Sequence, residues 1–231
     1  MRFEEAAVRL ARLPDRLASP DGARGRLPPG PAALMPVLTD GRFRPDLRSD
    51  GPAGDGIAGD RPAAVLVLVA PRRDGSAVVI LTERATYDGV HSGEVSFPGG
   101  KVEPGDADLE ATALREAVEE IGLDPAAAGV DLVGRLDALR IPVSRFSITP
   151  IVAVARRSPV LQASSIEVAR ILEAPLAAFL PGAPIEIVER TVRDWPLRYG
   201  GYRVDDLHVW GATARILGQL GAVIAALGAE A

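Results

Sequence analysis

Three glutamates mark the segment of this chain best suited to chemistry. In ALREAVEEIGL, residues 113–123, Glu116, Glu119 and Glu120 stand at i, i+3 and i+4. On a helix these positions share one face, over roughly 100° of arc. Like charges so spaced cost about 0.2–0.5 kcal/mol per pair even when exposed, and more once water is excluded. One reading is a solvated acidic face partly balanced by Arg115. The other is a site for a hard cation. Carboxylate oxygens suit Mg²⁺ or Mn²⁺, and such ions join protein carboxylates to substrate phosphates and activate water. Arg115 lies beside the cluster, where its fork of donors can hold a carboxylate.

The elements that must position these groups follow from pattern. A Gly-Gly turn in FPGGK, 97–101, precedes a helix expected over 108–121. The stripe of that helix is Leu109, Ala113, Leu114, Ala117, Val118 and Ile121, and Gly122 is its stop. AAVLVLVA, 63–70, is a continuous apolar run expected of a buried strand. With PRRDG as the turn, SAVVILTER, 76–84, makes a hairpin with it. Further strands are expected at 129–136, 147–156, 184–192 and 201–210, a short helix at 165–172 and a terminal helix at 211–228. Residues 2–17 show helical spacing through Phe3, Ala7, Leu10, Leu13 and Leu17. Residues 18–62 are rich in Pro and Gly and read as an extended arm. Mixed strands with few helices point to an α/β sandwich rather than a doubly wound sheet.

Composition sets the outer limits. The chain has 231 residues, 47% hydrophobic and 25% charged, enough for a full core. Cysteine is absent, which excludes disulfides, thiolate catalysis and cysteine zinc sites. The two histidines, His91 and His208, are too few for a His-rich metal site. A net charge of −5 and a pI of about 5.2 argue against nucleic acid as a partner. No GxGxxG or Walker A pattern occurs. Acidic residues interrupt MRFEEAAVRLARL where an export signal needs an apolar run, so a cytoplasmic address is expected. The most apolar stretch, 216–229, is short for a membrane span and contains Gln219. It reads as a packed helix, with no membrane partner.

The acidic segment resembles the Nudix box: Gly, five residues, Glu, seven residues, then Arg-Glu-aliphatic-x-Glu-Glu-x-Gly-aliphatic. Here Gly100 is followed after five residues by Asp106, and after eight more by Arg115, Glu116, Ala117, Val118, Glu119, Glu120, Ile121, Gly122 and Leu123. The longer gap, Asp106 and Ala117 are similar to one subgroup, the coenzyme A diphosphatases. Leu81-Thr82-Glu83-Arg84-Ala85, Gly93, Phe97-Pro98-Gly99-Gly100 and Thr112-Ala113-Leu114-Arg115-Glu116-Ala117 match that subgroup's motifs. So do Thr149-Pro150-Ile151-Val152, Glu167-Val168-Ala169 and Trp210-Gly211-Ala212-Thr213-Ala214. Where the subgroup places an Arg five residues after the Arg84 position, Gly89 stands here.

The resemblance implies a Nudix-type α/β/α sandwich with a mixed sheet over 61–231, preceded over 1–60 by an N-terminal helix and a Pro/Gly-rich arm. It implies Glu116, Glu119, Glu120 and the Gly100 carbonyl as ligands of Mg²⁺ or Mn²⁺. Glu119, Glu120, Arg115 and Glu167 are the catalytic candidates, with Arg115 as an orienting partner and Glu167 as a distant carboxylate able to take a proton from water. Arg84, His91 and Lys101 are candidates to grip phosphate, with Arg140 and Arg145 as further options. Phe97 and Trp210 read as core before base-stacking platforms. The implied reaction is hydrolysis of the diphosphate of coenzyme A or acyl-CoA to 3′,5′-ADP and (acyl-)4′-phosphopantetheine. The alternatives are another small-molecule nucleoside diphosphate derivative, such as ADP-ribose or NADH, or a non-catalytic nucleotide-sensing module. The apolar stripe of 2–17 needs a surface, either its own core or the second subunit of a homodimer.

Overall fold

The computed structural model describes residues 1–17, 26–40, 60–85, 94–141, 144–164, 166–192 and 195–229. The expected α/β/α sandwich is present, with an eight-stranded mixed sheet at its centre. Strand β2 (Arg61–Pro71) runs through the middle. Its parallel neighbour is β8 (Phe146–Ala155), with Ala63 opposite Ile148 and Val69 opposite Val154. Leu66 and Leu68 face one apolar cluster, Val67 and Val69 the other. Burial on both faces explains why the run 63–70 shows no polar alternation.

On its other side β2 meets β3 (Ala77–Arg84) over only three pairs, Val69–Val79 to Pro71–Ala77. Beyond these the two strands splay. The gap is filled by β4 (Val95–Ser96), which pairs with β3, and β5 (Gly99–Lys101), which pairs with β2 at Ala63–Val65. The Gly-Gly turn is therefore wedged into the sheet, and Leu66 donates its N–H to the Pro98 carbonyl at 2.8 Å.

Helix α3 (Leu109–Ile121) covers one face. Asp108 caps it by accepting from the Ala111 N–H at 2.7 Å, and Gly122, at φ 62°, ends it in the left-handed conformation that glycine adopts freely. Its buried face is centred on Thr112, Ala113, Ala117, Glu120 and Ile121. This corrects the expected stripe. Val118 is 46% exposed, whereas Glu120 points inward. The small side chains of Ala113 and Ala117 let the helix approach the sheet closely.

The opposite face carries α5 (Gly211–Ala229) and α1 (Phe3–Leu10). At 19 residues α5 outruns the apolar stretch seen in the sequence, and by length and composition alone it is long enough to cross a membrane. Its buried Ile216, Leu217, Leu220, Val223, Ile224 and Leu227 join the core cluster, so it serves here as a core helix. The helix expected over 2–17 breaks into α1 and α2 (Leu13–Leu17). Pro14 fits only in a first turn, where its missing N–H has no acceptor to lose. Ala6, Leu10 and Leu13 are fully buried, so the N-terminal stripe finds its surface in its own chain. Arg9 and Arg12 add hydrogen bonds to the carbonyls of Ile224 and Leu227 near the end of α5.

Two expectations fail. The helix expected at 165–172 is a strand, β9 (Val168–Pro175), paired antiparallel with β3. From Leu172 on, burial alternates strictly, with Leu172 and Ala174 buried and Glu173 and Pro175 exposed, and this period of two is the strand signal. The strand expected at 201–210 is a hairpin, β11 (Trp195–Val204) and β12 (Leu207–Val209). Asp205 turns it at φ 50°, a conformation Asp tolerates better than most residues. These strands form a second sheet with β1 (Val37–Leu38), from the N-terminal arm, and β10 (Glu186–Val192). Short strands β6 (Val130–Arg135) and β7 (Leu139–Ile141) and helix α4 (Pro125–Ala128) complete the fold.

Candidate active site

The wedge of 95–101 and the acidic face of α3 meet at one place. Gly99, with φ 156°, turns the chain so tightly that a Cβ there would lie 2.5 Å from the Ala64 carbonyl oxygen. Its N–H donates to Glu120 Oε2 at 3.2 Å. The next residue, Gly100, leaves the space that the Glu116 carboxylate occupies, since a Cβ there would collide with it. Both glycines are thus required by close approach as well as by the turn.

Arg115 organises the cluster. Its Nε donates to Asp106 Oδ1 at 2.9 Å and its Nη2 to Asp106 Oδ2 at 3.1 Å, a bidentate pair. Nη1 lies 3.0 Å from Glu116 Oε1 and 3.1 Å from Glu119 Oε2. Nη2 also donates to the Lys101 carbonyl at 3.2 Å. Asp106 in turn accepts from the Glu103 N–H at 2.8 Å and from Thr112 Oγ1 at 2.9 Å. Thr112 is fully buried. Asp106 and Thr112 were not among the functional candidates read from the sequence. The available signal was a threonine on the apolar side of a helix, six residues after an acid.

The electrostatics follow from burial. Glu120 is only 6% exposed, and desolvation, with repulsion from Glu116 and Glu167, pushes its pKa up to about 7. The Gly99 N–H and the Arg84 charge offset part of this. Burial also raises Glu116, against the pull of Arg115. Hydrogen bonds from Arg115 hold Asp106 well below the usual carboxylate range, and Asp106 keeps Arg115 firmly protonated.

Glu116, Glu120, Arg115 and Gly100 are together. Glu119 is at the same face but mostly exposed and drawn to Arg115. Glu167 lies in the turn before β9, not on a helix, and is exposed, yet near enough for its charge to raise both Glu116 and Glu120. Arg84 sits at the end of β3 near Glu120. Its Nε is buried and has no hydrogen-bond partner among the described residues. The Lys101 ammonium turns outward to Glu103 at 3.5 Å. His91, with Gly89 and Gly93, lies outside the described residues. Arg140 pairs with Asp60 through contacts of 2.7 and 3.3 Å. Phe97 is core, and Trp210 stacks on Tyr199 with centroids 4.9 Å apart.

The donor set fits a hard divalent cation in its chemistry. It is all oxygen, it concentrates like charges in a place partly shut off from water, and burial holds two of its carboxylates above their ordinary pKa. Among the described residues no three acidic or histidine side chains already converge as a ligand cluster.

Loosening Arg115 should show which contacts matter. Arg115→Lys keeps the charge and loses the fork. The expected outcome is a kcat about 10–100-fold lower, the range for partners that orient metal ligands, with weakened Mn²⁺ binding by calorimetry. The variant should also lose the acid resistance Asp106 provides. A depressed carboxylate stabilises above its unfolded pKa, and that stability disappears as pH falls toward the folded value. Wild-type activity in the lysine variant would show that the bidentate pair is incidental.

Comparison with known proteins places this geometry. A family model described as the NUDIX domain matches residues 60–160, which include the wedge and all of α3. Proteins named "Uncharacterized Nudix hydrolase NudL" from Salmonella paratyphi B and Salmonella newport are each 38% identical to this chain over 165 residues, 69% of this chain and 81% of theirs. Among solved structures, a Nudix hydrolase from M. smegmatis, RenU, is 24% identical over 52% of this chain and 73% of that one, with a TM-score of 0.42. A MutT/nudix family protein from Enterococcus faecalis is 14% identical over 76% of this chain and 63% of that one, with a TM-score of 0.43. With a domain match that spans the glutamate cluster, and relatives at this identity most of whose length it covers, the chain belongs to the Nudix hydrolase family.

Proposed function

We propose that this chain is a metal-dependent diphosphatase acting on coenzyme A or an acyl derivative, releasing 3′,5′-ADP and (acyl-)4′-phosphopantetheine. The observation that carries the hydrolase part is the pairing of two partly desolvated, mutually repelling carboxylates, Glu116 and Glu120, against the Gly99–Gly100 turn. The motifs at 81–85, 97–100 and 112–117 support the coenzyme A part.

Glu116, Glu119, Glu120 and the Gly100 carbonyl would hold Mg²⁺ or Mn²⁺. Nudix hydrolases generally use divalent ions, which when bound neutralise diphosphate charge and make water more acidic. Arg115 fixes Glu116 and releases Glu119 to the site while staying anchored on Asp106. Arg84, whose charge acts on Glu120 and whose Nε has no partner among the described residues, grips a phosphate oxygen of the substrate. Glu167, exposed at the mouth, takes the proton of the attacking water. His91 and Lys101 remain candidates for the phosphates at the outer end. Most of the rate enhancement in such a reaction comes from positioning and electrostatics.

The test is a substrate panel with product identification by mass spectrometry: coenzyme A, an acyl-CoA, dephospho-coenzyme A, ADP-ribose and NADH, each with Mg²⁺ or Mn²⁺. Cleavage of coenzyme A to the two named products, faster than any other compound, is the expected result. Faster turnover of ADP-ribose or NADH reassigns the substrate. Tight binding without turnover of any compound makes the chain a sensing module. Equal rates on coenzyme A and dephospho-coenzyme A would mean that Gly89 marks the loss of 3′-phosphate recognition.

A further inference from the structure

We propose that β10 is a self-complementary edge through which two copies of this chain join their second sheets into one. β10 pairs only with β11, so its outer backbone groups have no partner strand among the described residues. Glu186, Ile187, Glu189, Arg190 and Thr191 are all exposed, Ile187 at 52%, and Val188 is half-buried. Both faces of the strand therefore meet solvent. Exposed, β-branched and free of proline, such an edge is a template for another strand. Neither Glu189 nor Arg190 has a partner among the described residues.

The order of charges selects a second copy of this chain as the occupant. Two identical antiparallel strands related by a two-fold axis must place one residue opposite itself, because side chains that face each other lie on the same side of the sheet. Centring on Glu186, Glu189 or Arg190 sets like charges against each other at the axis, which destabilises. With Ile187 at the centre, neither Glu nor Arg finds an opposite charge. Val188 at the centre pairs Glu186 with Arg190 of the second copy, twice by symmetry. It also sets Ile187 beside the stem of Glu189 and closes Val188 on Val188. Each Glu186 then lies between that new arginine and its own Arg203, already 2.8 Å away.

This proposal does not depend on which substrate is cleaved. Because the chain contains no cysteine, single cysteines read the register directly. Directly opposed Cα atoms lie about 4.5–5.5 Å apart, within disulfide range. Diagonal positions lie about 7–8 Å apart, beyond it. Val188→Cys should form a covalent dimer under mild oxidation and Ile187→Cys should not. Sedimentation velocity over a concentration series should show wild type moving from one chain to two. Arg190→Glu, at an exposed position, should weaken the dimer about tenfold or more, two like-charge pairs replacing two opposite ones, with an unchanged circular dichroism spectrum. A wild type that stays monomeric throughout overturns the proposal. So does cross-linking of Ile187→Cys as fast as Val188→Cys, or a dimer indifferent to Arg190→Glu.

Discussion

Glu120→Gln should reduce turnover by at least about 10³-fold, the scale for losing one preorganised charged group, while producing a folded and, at alkaline pH, more stable protein. The two halves of this expectation have one cause. Glu120 is buried against the Gly99 turn, where its charge has little water and two negative neighbours. That arrangement costs stability whenever the group is ionised. The folded pKa, about 7, lies above the ordinary value of 4.5. The group therefore contributes its full stability below about pH 4.5, in the protonated form, and loses it as pH rises through 7. The span corresponds to about 3 kcal/mol. Urea unfolding of the metal-free protein, with chelator present, should show wild type losing about this much more than Glu120→Gln between pH 5 and 8. The glutamine carbonyl can still accept from Gly99, so the variant keeps the local hydrogen bond. Parallel pH profiles for the two proteins would mean that Glu120 is not buried as described. Undiminished turnover would mean that the acidic face of α3 is not the reaction centre.

The second large effect is expected at Gly99. Gly99→Ala places a methyl 2.5 Å from the Ala64 carbonyl and 2.6 Å from the Val65 Cα, both backbone atoms of the central strand, at a φ that side chains rarely adopt. Neither the strand nor the turn can give way cheaply. A loss of about 2–4 kcal/mol is expected, on the scale of strain plus overpacking. Activity should fall with it, because any shift of the turn moves the N–H that Glu120 accepts from and the Gly100 carbonyl. Gly105→Ala is the control: a Cβ there meets nothing within 4 Å, and chemical denaturation should find it within about 0.5 kcal/mol of wild type. If Gly99→Ala proves equally silent, the wedge between β2 and β3 is looser than the packing implies.

Much of the scaffold could be read from local pattern because local pattern is what forms it. The apolar run 63–70 predicts a strand buried on both faces, and β2 is covered by α3 on one side and by α1 and α5 on the other. Gly122 predicts the end of α3, where the left-handed residue satisfies the last carbonyls. Reading failed where two periods competed. At 165–172 polar residues at 165, 167 and 170 gave no clean alternation and hid the start of a strand, and at 201–210 an Asp-Asp turn was passed over because the residues on either side are good strand formers. It failed at Val118 too, because hydrophobicity alone cannot say which edge of an amphipathic stripe meets the sheet.

The spacing Arg115, Glu116, Glu119, Glu120 fixed by itself that three acids and one guanidinium share a helix face, since helical geometry leaves no other arrangement. It fixed the family resemblance as well, and with it the class of reaction to look for. What spacing cannot encode is the difference between chemically identical side chains. Glu119 is in water, Glu116 is half enclosed against Gly100, and Glu120 is desolvated with its pKa near neutrality. Asp106 as the anchor of Arg115, Arg140 as the partner of Asp60, and the burial of the Arg84 Nε without a partner among the described residues are likewise outcomes of contacts between distant segments. Solvent exclusion and long-range pairing depend on how β2 and β3 splay and what fills the gap, and those exist only once the chain has closed on itself.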